Sequence, residues 1–193
     1  MKSTAEALKS FEAVVERYLV ELENLELEQL YAKPNEEDWS IGQMVIHLIQ
    51  SAQFMHLRNV DECLAGSEGV LRTGGEKTEN GRAAFELGSF LPVRIRVPAS
   101  PQYTPQQPES KEQLIEGLRG VVERMNRTEI TLSQAPEGNK DGNKILHPGL
   151  GALNATEWFL LVDMHYRHHL LQLERLKHFL GLSPAESGDV RNR

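Results

Sequence analysis

The chain has 193 residues, 39% hydrophobic and 25% charged, the proportions of one globular domain with a core large enough to stand without disulfide help. A formal charge of -7, with no local Lys/Arg cluster against it, excludes nucleic acid as the main partner, because phosphate binding depends on a basic surface. Cys63 is the one cysteine, which excludes an intramolecular disulfide and a zinc site with two cysteine ligands from this chain.

Four long segments carry helical periodicity. The first spans about Ser3 to Leu30, with Leu8, Phe11, Val15, Tyr18, Leu19, Leu22 and Leu25 on one face and Lys33-Pro34-Asn35 as its stop. The second begins at Ser40, where Ser40-Ile41-Gly42-Gln43 reads as a capping box. It continues through Met44, Val45, Leu48, Ala52, Met55 and Leu64 to Gly66.

Residues 67–109 break the pattern with Gly74-Gly75 and Pro92, Pro98, Pro101, Pro105 and Pro108. This is a long crossover, with a short helix expected around Gly81–Leu87 and an extended stretch at Val93–Val97. A loop of this length is either a lid or binding loop, or a spacer across the bundle end.

The third helix runs from about Ser110 to Leu132, opened by a second capping box, Ser110-Lys111-Glu112-Gln113, and followed by a loop at Gly138–Gly142. The fourth runs from about Asn154 to Leu180, with Asn154 or Thr156 as its cap and Gly181 as its stop. With no clear strand pair, the expected fold is an all-α four-helix bundle with a long crossover between helices two and three. The domain is expected to cover residues 1–182, followed by a polar tail at 183–193. The N-terminal stretch lacks the unbroken apolar run of a signal peptide, and Trp158 to Val162 is far shorter than the roughly 20 apolar residues that span a bilayer. A cytoplasmic protein without a membrane partner is expected.

The histidines carry the chemistry. On the last helix Trp158, Leu161, Val162, His165, His169, Leu173 and Leu176 form one stripe, so His165 and His169 interrupt an apolar face one turn apart. Two imidazoles at that spacing point the same way and can share a metal. A third ligand should come from a facing helix, and His47, beside the inward stripe of helix two, is the best candidate. His168 sits one position off the stripe, His56 and His178 are read as surface or rim residues, and His147 as lining a pocket or joining a turn. Gln172, Glu157 and Asp163 are candidates to orient the imidazoles. Three neutral ligands leave coordination positions open, the catalytic rather than the structural pattern. Free imidazoles titrate near 6.5, so loss of metal is expected by about pH 5.

Trp39-Ser40 followed by His47-Leu48, and His165-Tyr166-Arg167-His168-His169 followed by Gln172, resemble two blocks of the DinB-like superfamily. The run His147-Pro148-Gly149-Leu150-Gly151 followed by Glu157-Trp158 is similar to a subgroup of it. The resemblance implies an up-down-down-up bundle, often a homodimer, holding a divalent metal, commonly nickel or zinc, on His47, His165 and His169. By position, Trp39, His147, Glu157, His168 and Gln172 are expected around the metal or its pocket. Activities in the superfamily include transfer of low-molecular-weight thiols to small electrophiles. A thiol-dependent transferase acting on a small molecule is therefore the first expectation. A metal-dependent hydrolase and a non-catalytic metal- or ligand-binding bundle are the alternatives.

Overall fold

A computed structural model describes residues 2–66, 70, 75–90 and 104–182. The expected extended stretch Val93–Val97 and the expected tail 183–193 lie outside the described residues. The elements are α1 (Thr4–Glu23), α2 (Leu27–Tyr31), α3 (Ile41–Ser51), a π-helical segment (Ala52–His56), α4 (Leu57–Ala65), α5 (Glu79–Leu87), α6 (Lys111–Gln134), α7 (Glu137–Asp141), β1 (Lys144–His147), β2 (Gly151–Asn154) and α8 (Ala155–Phe179). The fold is all-α apart from one short hairpin. Its four long members are α1, the rod formed by α3, the π segment and α4, then α6, and α8. Both α1 and the α3–α4 rod pack against α6 and α8.

Local chemistry explains where the helices begin. Ser3 and Glu6, Ser40 and Gln43, and Asn154 and Glu157 form reciprocal capping boxes that satisfy otherwise orphaned N–H groups. At α6 the box is only half formed. Ser110 accepts from the Gln113 amide, but the Gln113 side chain accepts from the Glu109 N–H at 2.8 Å instead of reaching back to Ser110. At the far end of α8, Gly181 takes a left-handed φ of 71°, where a glycine carries no steric cost. Its N–H donates to His178 and that of Leu182 to Lys177, a Schellman closure.

Three expectations are corrected. The first helix does not run unbroken to Leu30. Asn24 ends α1 and donates from its side chain back to the Val20 carbonyl at 2.8 Å, while Glu26 and Gln29 cap a new helix. Residues 138–142 are not wholly loop, since α7 occupies most of them. A strand pair does exist: β1 and β2 are antiparallel, with Lys144 opposite Asn154 and His147 opposite Gly151. The crossover is stitched to this hairpin, as the Ala152 N–H donates to Glu76 and the Thr78 N–H to Leu150.

The core is continuous, and Trp158, Tyr18, Tyr166, Phe11 and Phe159 are its largest fully buried members. Each such side chain contributes about 1.5–3 kcal/mol through the apolar area it removes from water. The Phe11 and Tyr166 rings meet edge to face with centroids 4.9 Å apart, and Tyr18 Oη donates to the Tyr166 carbonyl at 2.9 Å. These contacts tie α1 to α8 one residue away from His165. The N-terminal half of α8 is buried on almost every side, which gives the histidines that follow a fixed origin.

Candidate metal centre

The two helices that supply the histidines meet with their imidazole faces opposed. Nε2 of His165 lies 3.2 Å from Nε2 of His47 and 3.1 Å from Nε2 of His169. One nitrogen from each ring falls within 4.8 Å of the other two. Ring centroids are 5.0 Å apart for His47 and His165, 4.7 Å for His165 and His169, and 5.1 Å for His47 and His169. Two ligands about 2.0–2.1 Å from one ion, set between a right angle and a tetrahedral angle, stand roughly 2.9–3.4 Å apart. The two separations from His165 fall in that interval.

Around the triad, Gln172 accepts from His169, its Oε1 lying 2.9 Å from Nδ1. With the proton held on Nδ1, the His169 Nε2 lone pair faces the other two rings. Ser51 Oγ stands at the longer distance of 3.4 Å from His47 Nδ1. The Trp39 ring covers His47 with centroids 4.9 Å apart. His168 turns away from the common point and lies edge-on to Phe90, 5.5 Å between centroids.

Burial keeps these rings neutral. Desolvation lowers the His47 pKa to about 4. It lowers that of His169 to about 3, aided by the neighbouring His47 charge and opposed by the Gln172 hydrogen bond. For His165, burial acts first and the charges of His169, His56, His47 and His168 add to it, so its pKa is held well below the ordinary value. Neutral imidazoles offer lone pairs without competition from protons at neutral pH, as ligation requires.

Other expected residues have different duties. His147 ends β1, and its Nδ1 accepts from the Gly149 and Leu150 N–H groups at 3.0 and 3.1 Å, so that nitrogen shapes the hairpin turn. Its ring rests on Trp158 at 5.4 Å. Glu157 caps α8 through the Asn154 N–H and pairs with Lys77. Asp163, 1% exposed, accepts from Lys2 and Arg167 at 3.3 and 3.0 Å. Neither carboxylate is among the groups that converge with the three imidazoles. His178 is exposed, as expected.

His56 is the residue that sequence reasoning misplaces. It is 3% exposed rather than at the rim, and its ring centroid lies 5.2 Å from that of His165. At about 100° per residue, the nine residues from His47 put His56 on the opposite face of an α-helix. The π segment inserts one residue and takes back about one such step, so His56 turns inward. A signal was present: the buried stripe steps by five residues from Ala52 to Leu57, then resumes at Val60 and Cys63.

The sequence profile of the DinB superfamily matches residues 10–173. The chain belongs to the DinB superfamily. That match takes in both helices of the histidine cluster, from before Trp39 to beyond Gln172. No curated protein matches the chain. Among the described residues of this superfamily member, no helix is long and apolar enough to cross a membrane.

Proposed function

We propose that His47, His165 and His169 hold one divalent metal ion, nickel or zinc, and that the protein is a metal-dependent enzyme transferring a small thiol to a small electrophile. The observation that carries this reading is the convergence of three neutral Nε2 atoms at 3.1–3.2 Å contacts. When bound there, the ion supplies Lewis acidity that favours the deprotonated form of a small nucleophile. The chain's own residues orient the ligands. Gln172 fixes the tautomer of His169, and Trp39 shields His47 from water.

The choice of thiol over water follows from the carboxylates. A hydrolase of this kind benefits from a general base beside the nucleophile, and Glu157 and Asp163 are tied to Lys77, Lys2 and Arg167 instead. A thiol, whose ordinary pKa of about 8.5 is far lower than that of water, can release its proton to solvent without such a base. Its sulfur forms a bond to the electrophilic carbon, and the leaving group departs with the bonding electrons.

Elemental analysis of protein purified without a nickel column tests the metal reading. One divalent ion per chain is expected, and none would overturn it. Consumption of a chlorodinitrobenzene in the presence of small thiols then tests the reaction. Thiol-dependent turnover lost on chelation is expected. Ester or amide turnover indifferent to thiol would favour the hydrolase instead.

A further inference from the structure

His56 and His165 meet inside the bundle with their rings nearly perpendicular, at an interplanar angle of 77° and 5.2 Å between centroids. Nδ1 of each ring is buried, and neither has a hydrogen-bond partner. A buried nitrogen without a partner is costly, so two at one contact call for an explanation. The three rings of the triad also differ in their outer support. His169 has Gln172, and His47 has the longer contact to Ser51. His165, the central ring, touches both of the others through Nε2 and has no partner on Nδ1. Histidines that ligate a metal almost always donate their second N–H to an acceptor. Outside the triad, His56 is the aromatic ring in contact with His165 among the described residues.

The geometry points to His56 as the positioning residue for His165: His165 Nδ1–H donates to a ring nitrogen of a neutral His56, which fixes the tautomer and angle of the central metal ligand. This inference rests on the metal reading above. The imidazole torsion about Cβ–Cγ is broad, so the His56 ring is free to turn a nitrogen towards its neighbour. Trp158 lies 6.0 Å behind His56, with rings tilted by 34°, and backs it against the core. The π segment then has a purpose. Such insertions interrupt a regular helix and gather at functional sites, and this one delivers His56 to His165.

The test uses cobalt(II) as the probe, with wild type, His56→Phe and His56→Gln. His56→Phe is expected to bind cobalt about 10–100-fold more weakly, with a changed visible spectrum. Its metal-free melting temperature should change little, because the acceptor lost to His165 Nδ1 is offset by an apolar ring set against Trp158. His56→Gln keeps an acceptor and should regain most of the affinity. A merely structural role predicts instead that affinity and metal-free stability fall together. In zinc-loaded, nitrogen-labelled wild type, a coupling across the hydrogen bond between His165 Nδ1 and a His56 nitrogen is expected, a readout that stands even if the Phe variant does not fold. Wild-type affinity and spectrum in His56→Phe, no recovery in His56→Gln, or absence of that coupling would each overturn the inference. Failure of wild type itself to bind cobalt would overturn the metal reading as well, which separates the two failures.

Discussion

Acidifying the metal-free protein should destabilise it well before its carboxylates titrate. Burial holds His47 at about 4, His56 at about 3 and His169 at about 3, with His165 also well below its ordinary value. In the unfolded chain each returns to about 6.5. Below that pH the unfolded chain binds protons that the folded protein refuses, so stability is complete above about pH 6.5 and falls as pH drops toward 4. Each such imidazole contributes about 1.4 kcal/mol per pH unit inside the window. Three rings, His47, His56 and His169, each refuse a proton across this window. Stability should then fall by about 5 kcal/mol between pH 7 and pH 5, against a usual total of about 5–15 kcal/mol. Carboxylates, with reference values near 4, remain mostly ionised across that interval. Urea unfolding of chelator-treated protein at pH 7, 6 and 5 measures the slope. A free energy that changes by less than about 1 kcal/mol over this range would refute the claim that these rings are buried and neutral.

Further perturbations separate the site from its scaffold. Gln172→Leu removes the acceptor on His169 Nδ1 and should weaken metal binding about 10–100-fold, read by competition with a chromophoric chelator. Gly42→Ala places a methyl group 2.7 Å from Pro108 Cγ and Cδ and 3.0 Å from the Leu30 carbonyl, and should cost about 1–3 kcal/mol in denaturant unfolding. Pro108 cannot easily yield, because its carbonyl accepts from Tyr31 Oη at 2.8 Å. Asp163→Asn leaves Arg167 and Lys2 without their buried carboxylate. A loss of about 2–3 kcal/mol is expected, below the usual figure for a buried pair because Lys2 and Arg167 are partly solvated. An unchanged melting curve for either of the last two variants would contradict the packing described.

How much of this is legible in the sequence depends on whether the information is local. The pairing of His165 with His169 follows from a four-residue step on one helix, and the helix starts follow from capping residues within three positions. Bringing His47 to them needs only two apolar stripes to face each other. The β1–β2 hairpin escapes notice because its strands are four residues long and Leu146 is exposed, so no alternating run announces it. Its stability comes from Glu76 and Thr78, about 70 residues away in the chain, through bonds that no local pattern encodes. The break at Asn24 is hidden for a different reason. Leu22, Leu25 and Leu30 are all buried, so the apolar pattern passes over the break between α1 and α2. His56 is missed because an inserted residue shifts the phase of a helix without ending it.

The same buried rings decide how acid removes the metal. Judged as free imidazoles, the ligands would surrender an ion by about pH 5 while the protein stayed folded. Folded values of about 4 for His47 and about 3 for His169 make protons poor competitors there. A bound ion at a thousand times its Kd stabilises the native state by about 4 kcal/mol, since it binds the folded form. Three imidazoles give a slope of about 4 kcal/mol per pH unit, so loading should move the acid midpoint down by about one unit. Metal release and loss of helical signal should then coincide in a single transition. Monitoring cobalt absorbance and circular dichroism on one sample checks this. Release of the ion with full helicity retained would mean that the rings take up protons in the folded state, and the neutrality on which the site depends would be wrong.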